Sequence, residues 1–404
     1  MAGLTRKQLL AGAAAAGVVA GCGSSSKKPA AFDPEDWASV KAQFALSGDV
    51  RHFDAFVFAT HPKPVRDAIE RHRRGLDADP AGYLHAHEAE LDRRVVQAAA
   101  RYLEVDPGDI AFTDSTTMGL GLVYGGIQVE GEPVATAHDF YSTHEALALR
   151  FGKVRQIALY DDPAQATGPS MVEAAKAGVR DDTGVLALTW VHSGTGVKIP
   201  VQDITAAVRR SGMLVVLDGV HGLAADDLPI AGGALDVLVA GTHKWLGGPR
   251  GTGLVWSSTA WDRLKPIIPS FHPTGGAPDA ATWSPGGYHT FEHRWALAEA
   301  FDFHAALGRT RVTKRIQSLA TRLKQGLTEL PNVRLVTPLA EEVSAGIVCC
   351  EVSGMDPATA VARLRERKVA ASVTPYAEPY VRFGTGLWVD EQGVDAALDA
   401  VTRL

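Results

Sequence analysis

Two short motifs in this sequence put a carboxylate, an imidazole and an amine just where apolar runs end. The run at residues 213–217 delivers Asp218, followed by Gly219, Val220 and His221. A second run, 237–240, leads through Gly241, Thr242 and His243 to Lys244 and then into the glycine-rich stretch 245–253. In an open parallel sheet, ligands bind beyond the carboxyl ends of strands, so these are positions where chemistry is expected. A lysine between a dry strand and a glycine turn loses hydration, which lowers its pKa and suits it to Schiff-base formation. A carboxylate from a neighbouring strand can keep a heterocyclic nitrogen protonated, so that the ring acts as an electron sink. Each motif also has a plainer reading. Asp218 alone reads as an aspartate capping a loop. Lys244 alone reads as a surface lysine, although the preceding apolar strand and Trp245 argue against that.

Upstream, residues 112–119 pass from an apolar run through Asp114, Ser115, Thr116 and Thr117 into a helix start. Free amides at a helix N-terminus, with hydroxyls beside them, form an anion site suited to a phosphate. Simple N-capping by Ser115 or Thr116 accounts for the same residues. An amine, a carboxylate and a phosphate cradle at three strand ends together ask for pyridoxal 5′-phosphate (PLP).

The elements that must position these groups alternate along the chain. Apolar runs at 109–113, 133–137, 154–159, 185–190, 213–217, 237–240 and 253–257 read as strands. Amphipathic stretches at 89–103, 118–127, 142–151, 170–178 and 204–211 read as helices. This pattern predicts an α/β fold with a mostly parallel central sheet flanked by helices. One long helical pattern at 294–330 comes next, then strands at 347–352 and 380–383 and helices at 357–368 and from 391, which read as a smaller α+β C-terminal domain. The expected organisation is an export signal and tether at 1–30, a segment at 31–75 joining the small domain, a large cofactor domain at 76–293 and the small domain at 294–404.

Composition narrows the partners. The 404 residues are 46% hydrophobic and 21% charged, with a formal net charge of −6. That balance argues against a protein that binds nucleic-acid backbones. The three cysteines exclude a disulfide framework, and Cys349 and Cys350 read as adjacent strand residues. Residues 1–22 read as an export signal: Arg6 and Lys7, an apolar run, and Val19-Ala20-Gly21-Cys22, which resembles a bacterial lipobox with Cys22 as the lipidated residue. Residues 5–10 also resemble a twin-arginine signal in which Lys7 replaces the second arginine. The expected location is therefore exported and lipid-anchored, with a cytoplasmic enzyme carrying an inactive extension as the alternative.

The segments Gly241-Thr242-His243-Lys244-Trp245 and Leu217-Asp218-Gly219-Val220-His221 closely resemble the class V aminotransferases among fold type I PLP enzymes. The flavour is that of isopenicillin N epimerase-like and cysteine desulfurase-like members. The resemblance implies that Lys244 forms the Schiff base, that Asp218 pairs with the pyridine nitrogen and that His221 lies near the phenolic oxygen or the aldimine. It implies further that Thr116, Thr117, Thr242 and His243 hold phosphate, that Phe140 or Tyr141 stacks on the ring, and that Ser193 stands where relatives carry an asparagine. Arg382, in Tyr380-Val381-Arg382-Phe383, matches the arginine that grips a substrate α-carboxylate, a role suited to its planar two-point geometry. A homodimer and an α-amino acid substrate are also implied.

Epimerase, C–S lyase and aminotransferase outcomes all remain open. Desulfuration through a loop cysteine is disfavoured, because residues 371–376 contain none. An exported amino-acid or PLP binding lipoprotein without turnover is the alternative of a different class. A dinucleotide enzyme is set aside because no G-x-G-x-x-G follows the first strand. His85 and His87 are set aside as metal ligands, since residues two apart on a helix do not share a face. Residues 288–294 read either as a helix start or as a contact to a partner's cofactor.

Overall fold

Successive strands in the middle of the chain are apolar on both faces, which suits only a sheet covered on each side. The computed structural model describes residues 32–58, 60–269 and 280–404. In it the strands β1 (Ile110–Thr113), β2 (Glu132–Thr136), β3 (Arg155–Ile157), β4 (Thr183–Thr189), β5 (Leu214–Asp218), β6 (Val237–Gly241) and β7 (Gly253–Trp256) form one sheet. Their order is β1-β7-β6-β5-β4-β2-β3. From β6 to β3 the pairing is parallel, while β7 runs against both β6 and β1. The mostly parallel sheet expected from the sequence is thus present, with one reversed strand that an apolar run cannot announce.

Alternate residues of the central strands enter two separate cores, as the pleat requires. Leu186, Leu188, Val215, Leu217 and Leu238 pack on one side. Val185, Ala187, Leu214, Val216 and Val239 pack on the other. Each fully buried Val or Leu here contributes roughly 1.5–3 kcal/mol. The helices α1 (Lys63–Ala78) and α2 (Pro80–Leu103) precede the sheet. α3 (Thr116–Gly126) and α4 (Tyr141–Phe151) cover the second face through Leu120, Val123 and Leu147. α5 (Gly168–Gly178) and α6 (Val201–Val208) cover the first through Met171, Ala175, Ile204 and Val208. α1 has no counterpart in the sequence reading, because its few buried residues, Val65, Ala68 and His72, are spread among eight charged ones.

The single helical pattern at 294–330 is two helices, α7 (Phe291–Leu307) and α8 (Arg309–Thr328). Gly308 separates them with a φ of 81°, a conformation that L side chains rarely adopt. A second sheet is built from β8 (Val333–Leu335), β9 (Ile347–Val352), β10 (Ser372–Val373) and β11 (Val381–Gly384), ordered β10-β11-β9-β8 and antiparallel throughout. The helix α9 (Pro357–Glu366) packs against it, and α10 (Glu391–Thr402) packs beside α8 and α9. Near the start of the chain, Arg51–His52 pairs in parallel with Val369–Ala370. Residues Pro34–Leu404 make one compact unit. The export signal and Cys22 lie outside the described residues.

Candidate active site

The parallel strands β4, β5 and β6 and the first strand β1 all end at the same edge, and one cavity of about 390 Å³ opens there. Lys244 enters it from the turn after β6, and Asp218 from the last position of β5. Ser115, Thr116 and Thr117 reach it from the start of α3, and Phe140 and Tyr141 from the start of α4. Ser193, His221 and His243 add to the wall on this side, while Arg382 arrives from β11 of the second sheet.

Burial lowers the Lys244 amine to about 8; the nearby Asp218 carboxylate works against that and the Arg382 guanidinium adds to it. Asp218 is 2% exposed. Burial raises its carboxyl to about 6, with the Val220 amide and the Lys244 charge pulling the other way. Its Oδ1 accepts the Val220 N–H at 2.9 Å, the single hydrogen bond made by this carboxylate among the described residues. The other oxygen is left for a donor in the cavity. His221 lies between the amine and the core: its Nε2 is 3.1 Å from Lys244 Nζ, and its Nδ1 accepts the Trp245 indole N–H at 3.4 Å. Burial, then the charges of Lys244 and Arg382, hold His221 neutral.

On the anion side, one expected residue lies elsewhere. Ser115 caps α3 by accepting the Met118 N–H at 3.1 Å. Thr116 Oγ1 accepts the Gly241 N–H at 2.7 Å, which fixes α3 to the end of β6 and leaves the Thr116 hydroxyl proton available. Thr242 is not brought to the cavity. Its side chain is fully buried and 2.5 Å from Thr252 Oγ1. Thr252 donates its own proton to the Pro249 carbonyl, so Thr242 must donate to Thr252 and has nothing left for a phosphate.

Arg382 is held by two bonds, Nη1 to the Ser193 carbonyl at 3.0 Å and Nε to Ser372 Oγ at 3.1 Å, with its guanidinium over the Phe56 ring at 5.1 Å. Ser193 Oγ meets the phenol of Tyr376 at 2.5 Å. The same Tyr376 ring sets its edge against Phe140 at 6.1 Å between centroids. Tyr141 is 61% exposed, so Phe140 is the better held of the two aromatic candidates.

The sequence reading missed Val57, Phe58, Thr189 and Pro375 in the wall. It gave Trp245 no role beyond flanking Lys244, and it missed the neighbour Tyr376. Trp245 closes a motif already singled out and Thr189 lies within the run at 185–190, so both stood in the sequence beside the expected site. Phe58 and Tyr376 come from distant segments and carry no local signal. Segment 288–294 runs into α7, with His293 Nδ1 at 2.9 Å from the Arg250 carbonyl.

Known proteins resemble this chain in sequence and in fold. The family model for aminotransferase class-V matches residues 58–374. The chain belongs to that family. Isopenicillin N epimerase from Streptomyces clavuligerus is 26% identical over 399 residues, covering 91% of this chain and 98% of the relative. A probable cysteine desulfurase from Aeropyrum pernix is 31% identical over 212 residues, covering 51% and 47%. Among solved structures, a C-DES mutant with glycine covalently linked to its PLP cofactor aligns with a TM-score of 0.81 at 21% identity, covering 90% of this chain and 98% of that one. These likenesses include both an epimerase and a desulfurase, so they give no ground for setting desulfuration aside. Family membership makes this a PLP-dependent protein of fold type I, and the cavity fits the group. It offers an amine of lowered pKa, a carboxylate oxygen without a hydrogen-bond partner among the described residues and a helix N-terminus rich in hydroxyls.

Proposed function

We propose that this chain is a PLP-dependent enzyme that moves the α-proton of an α-amino acid, with Lys244 as both the cofactor's anchor and the base. The observation that carries the reading is the convergence on one cavity of Lys244 from the turn after β6, Asp218 from β5 and Arg382 from β11. When bound, the cofactor supplies an aldehyde for amines and a protonated ring that accepts an electron pair. Asp218 would hold the proton of the ring nitrogen. Thr116, Thr117 and His243, with the free amides of α3, hold the phosphate. Phe140, in the cavity wall, would be the aromatic residue beside the ring. Arg382, already fixed by Ser193 and Ser372, presents its remaining N–H groups to the substrate carboxylate. Lys244, neutral above about pH 8, takes the α-proton at Nζ.

Epimerisation, C–S cleavage and transamination part company once that proton has left. Desulfuration through a protein thiol needs a reactive cysteine at the cavity. Cys349 and Cys350 lie in β9, fully buried, and burial pushes the Cys349 thiol up to about 12 and Cys350 higher still. Cleavage that releases the sulfur product directly needs no such thiol. The non-catalytic binder draws no support from the relatives.

The test is spectral. Full-length protein incubated with PLP is expected to develop a visible absorption band that Lys244→Ala lacks. Added amino acids should change that band, and the product, whether keto acid, D-isomer or released thiol, identifies the branch. A wild-type protein that stays colourless refutes the proposal.

A further inference from the structure

Trp245 sits directly after the cofactor lysine and is 2% exposed, with its ring stacked on Phe56 at 5.2 Å and on Trp388 at 6.3 Å. Its orientation is fixed by that stack, and Gly346 allows the close approach, since a Cβ there would lie 2.6 Å from the indole. The fixed indole directs its N–H at His221 Nδ1. An indole N–H can only donate, so Nδ1 must carry a lone pair. The ring is then neutral, and its single proton sits on Nε2, the nitrogen 3.1 Å from Lys244 Nζ. An N–H that faces an amine needs the amine's lone pair. An ammonium has three donors and no acceptor, and cannot serve.

We propose that Trp245 is a positioning residue: by fixing the Nε2–H tautomer of His221, it keeps the Lys244 amine in its uncharged, proton-accepting form. The other charged or titratable groups around the pair are Asp218 from β5, His243 from the turn after β6 and Arg382 from β11. Asp218 favours the ammonium and Arg382 opposes it, while burial opposes it most. His221 is the neighbour whose effect depends on where its proton sits. With the proton on Nδ1 instead, Nε2 would accept from an ammonium and stabilise it. The tautomer therefore sets the sign of this contact.

The inference rests on Lys244 being the cofactor's anchor, and two measurements keep the readings separable. The first is nitrogen NMR of the full-length protein stripped of PLP and labelled with ring-¹⁵N histidine, with His221 assigned by its loss in His221→Phe. The Nε2–H form is expected; an Nδ1–H form or an imidazolium at pH 8 overturns the inference. The second is the pH dependence of the rate at which stripped protein regains the PLP absorption band. In Trp245→Phe, which keeps an aromatic ring in the stack, the midpoint is expected to rise by about one unit, the size of one charge-assisted hydrogen bond. In the His221→Phe background the same substitution should leave the midpoint where it was. An unchanged midpoint in the single variant, or an equal shift without His221, overturns the inference. No PLP uptake by the wild type refutes the anchor reading instead, and the NMR result still decides the tautomer. If Trp245→Phe does not fold, the wild-type spectrum decides alone.

Discussion

Arg382 gives a sharp test because its geometry separates a structural role from a binding role. Nη1 and Nε are committed to the Ser193 carbonyl and Ser372 Oγ at 3.0 and 3.1 Å, so the guanidinium plane is set before any ligand arrives. Arg382→Lys keeps the charge and loses the fork: one ammonium cannot serve the carbonyl and the serine and still offer a second planar contact. Loss of one charge-assisted contact to a carboxylate is worth about 1.5–3 kcal/mol. At about 1.4 kcal/mol per decade, that is roughly a ten- to hundredfold weakening. The assay is a spectral titration of the PLP-loaded protein with an amino acid and with the corresponding amine that lacks the carboxylate. The expected result is a large rise in Kd for the amino acid, little change for the amine, and a midpoint of thermal unfolding that reports the structural bonds separately. If both ligands weaken equally, or neither does, Arg382 does not hold the carboxylate and the assignment of that end of the cavity is wrong.

Two further expectations concern the supporting structure. A Cβ on Gly194 would lie 3.1 Å from two carbons of the Tyr376 ring, so Gly194→Ala should displace that ring. It should weaken amino-acid binding about as much as Tyr376→Phe does, and the double variant should be no worse than either single one in the same titration. Lys324, fully buried on α8, donates to the Pro338 and Leu339 carbonyls at 2.9 and 2.8 Å and to Ser344 Oγ at 2.6 Å. Lys324→Met strands all three acceptors and is expected to cost about 3–5 kcal/mol in denaturant unfolding, without moving the PLP absorption maximum. A loss below about 1 kcal/mol would mean that these acceptors find other donors.

The sheet was legible because strands such as β4 and β5 carry unbroken runs of four apolar residues, 185–188 and 214–217, a pattern that amphipathic surface elements do not produce. Asp218 and Lys244 were legible because each stands where such a run stops. What local sequence does not record is direction. Thr242 adjoins Lys244 yet turns its hydroxyl to Thr252, a choice made by strand pairing ten residues downstream. Gly308 divides a helix that tolerates glycine elsewhere, as at Gly326 in α8, so residue type alone did not mark the break. Phe58 and Tyr376 reach the cavity through contacts of long sequence separation, and no window of neighbouring residues contains them.

The reversed strand β7 has a consequence for how this protein can change over generations. Because β7 runs back beside β6, the segment carrying Lys244 is an arch fastened on both sides. Gly241 pairs with Gly253, and the Thr242 N–H bonds the Thr252 carbonyl at 3.1 Å. A crossover into a helix could absorb an inserted residue by sliding. An arch pinned at both feet cannot, so adding or deleting one residue between 245 and 251 would swing the reactive side chain off its target. Diversity in this lineage is therefore expected to come from the far wall, around Pro375 and Tyr376, where the loop between β10 and β11 can lengthen without disturbing the keystone.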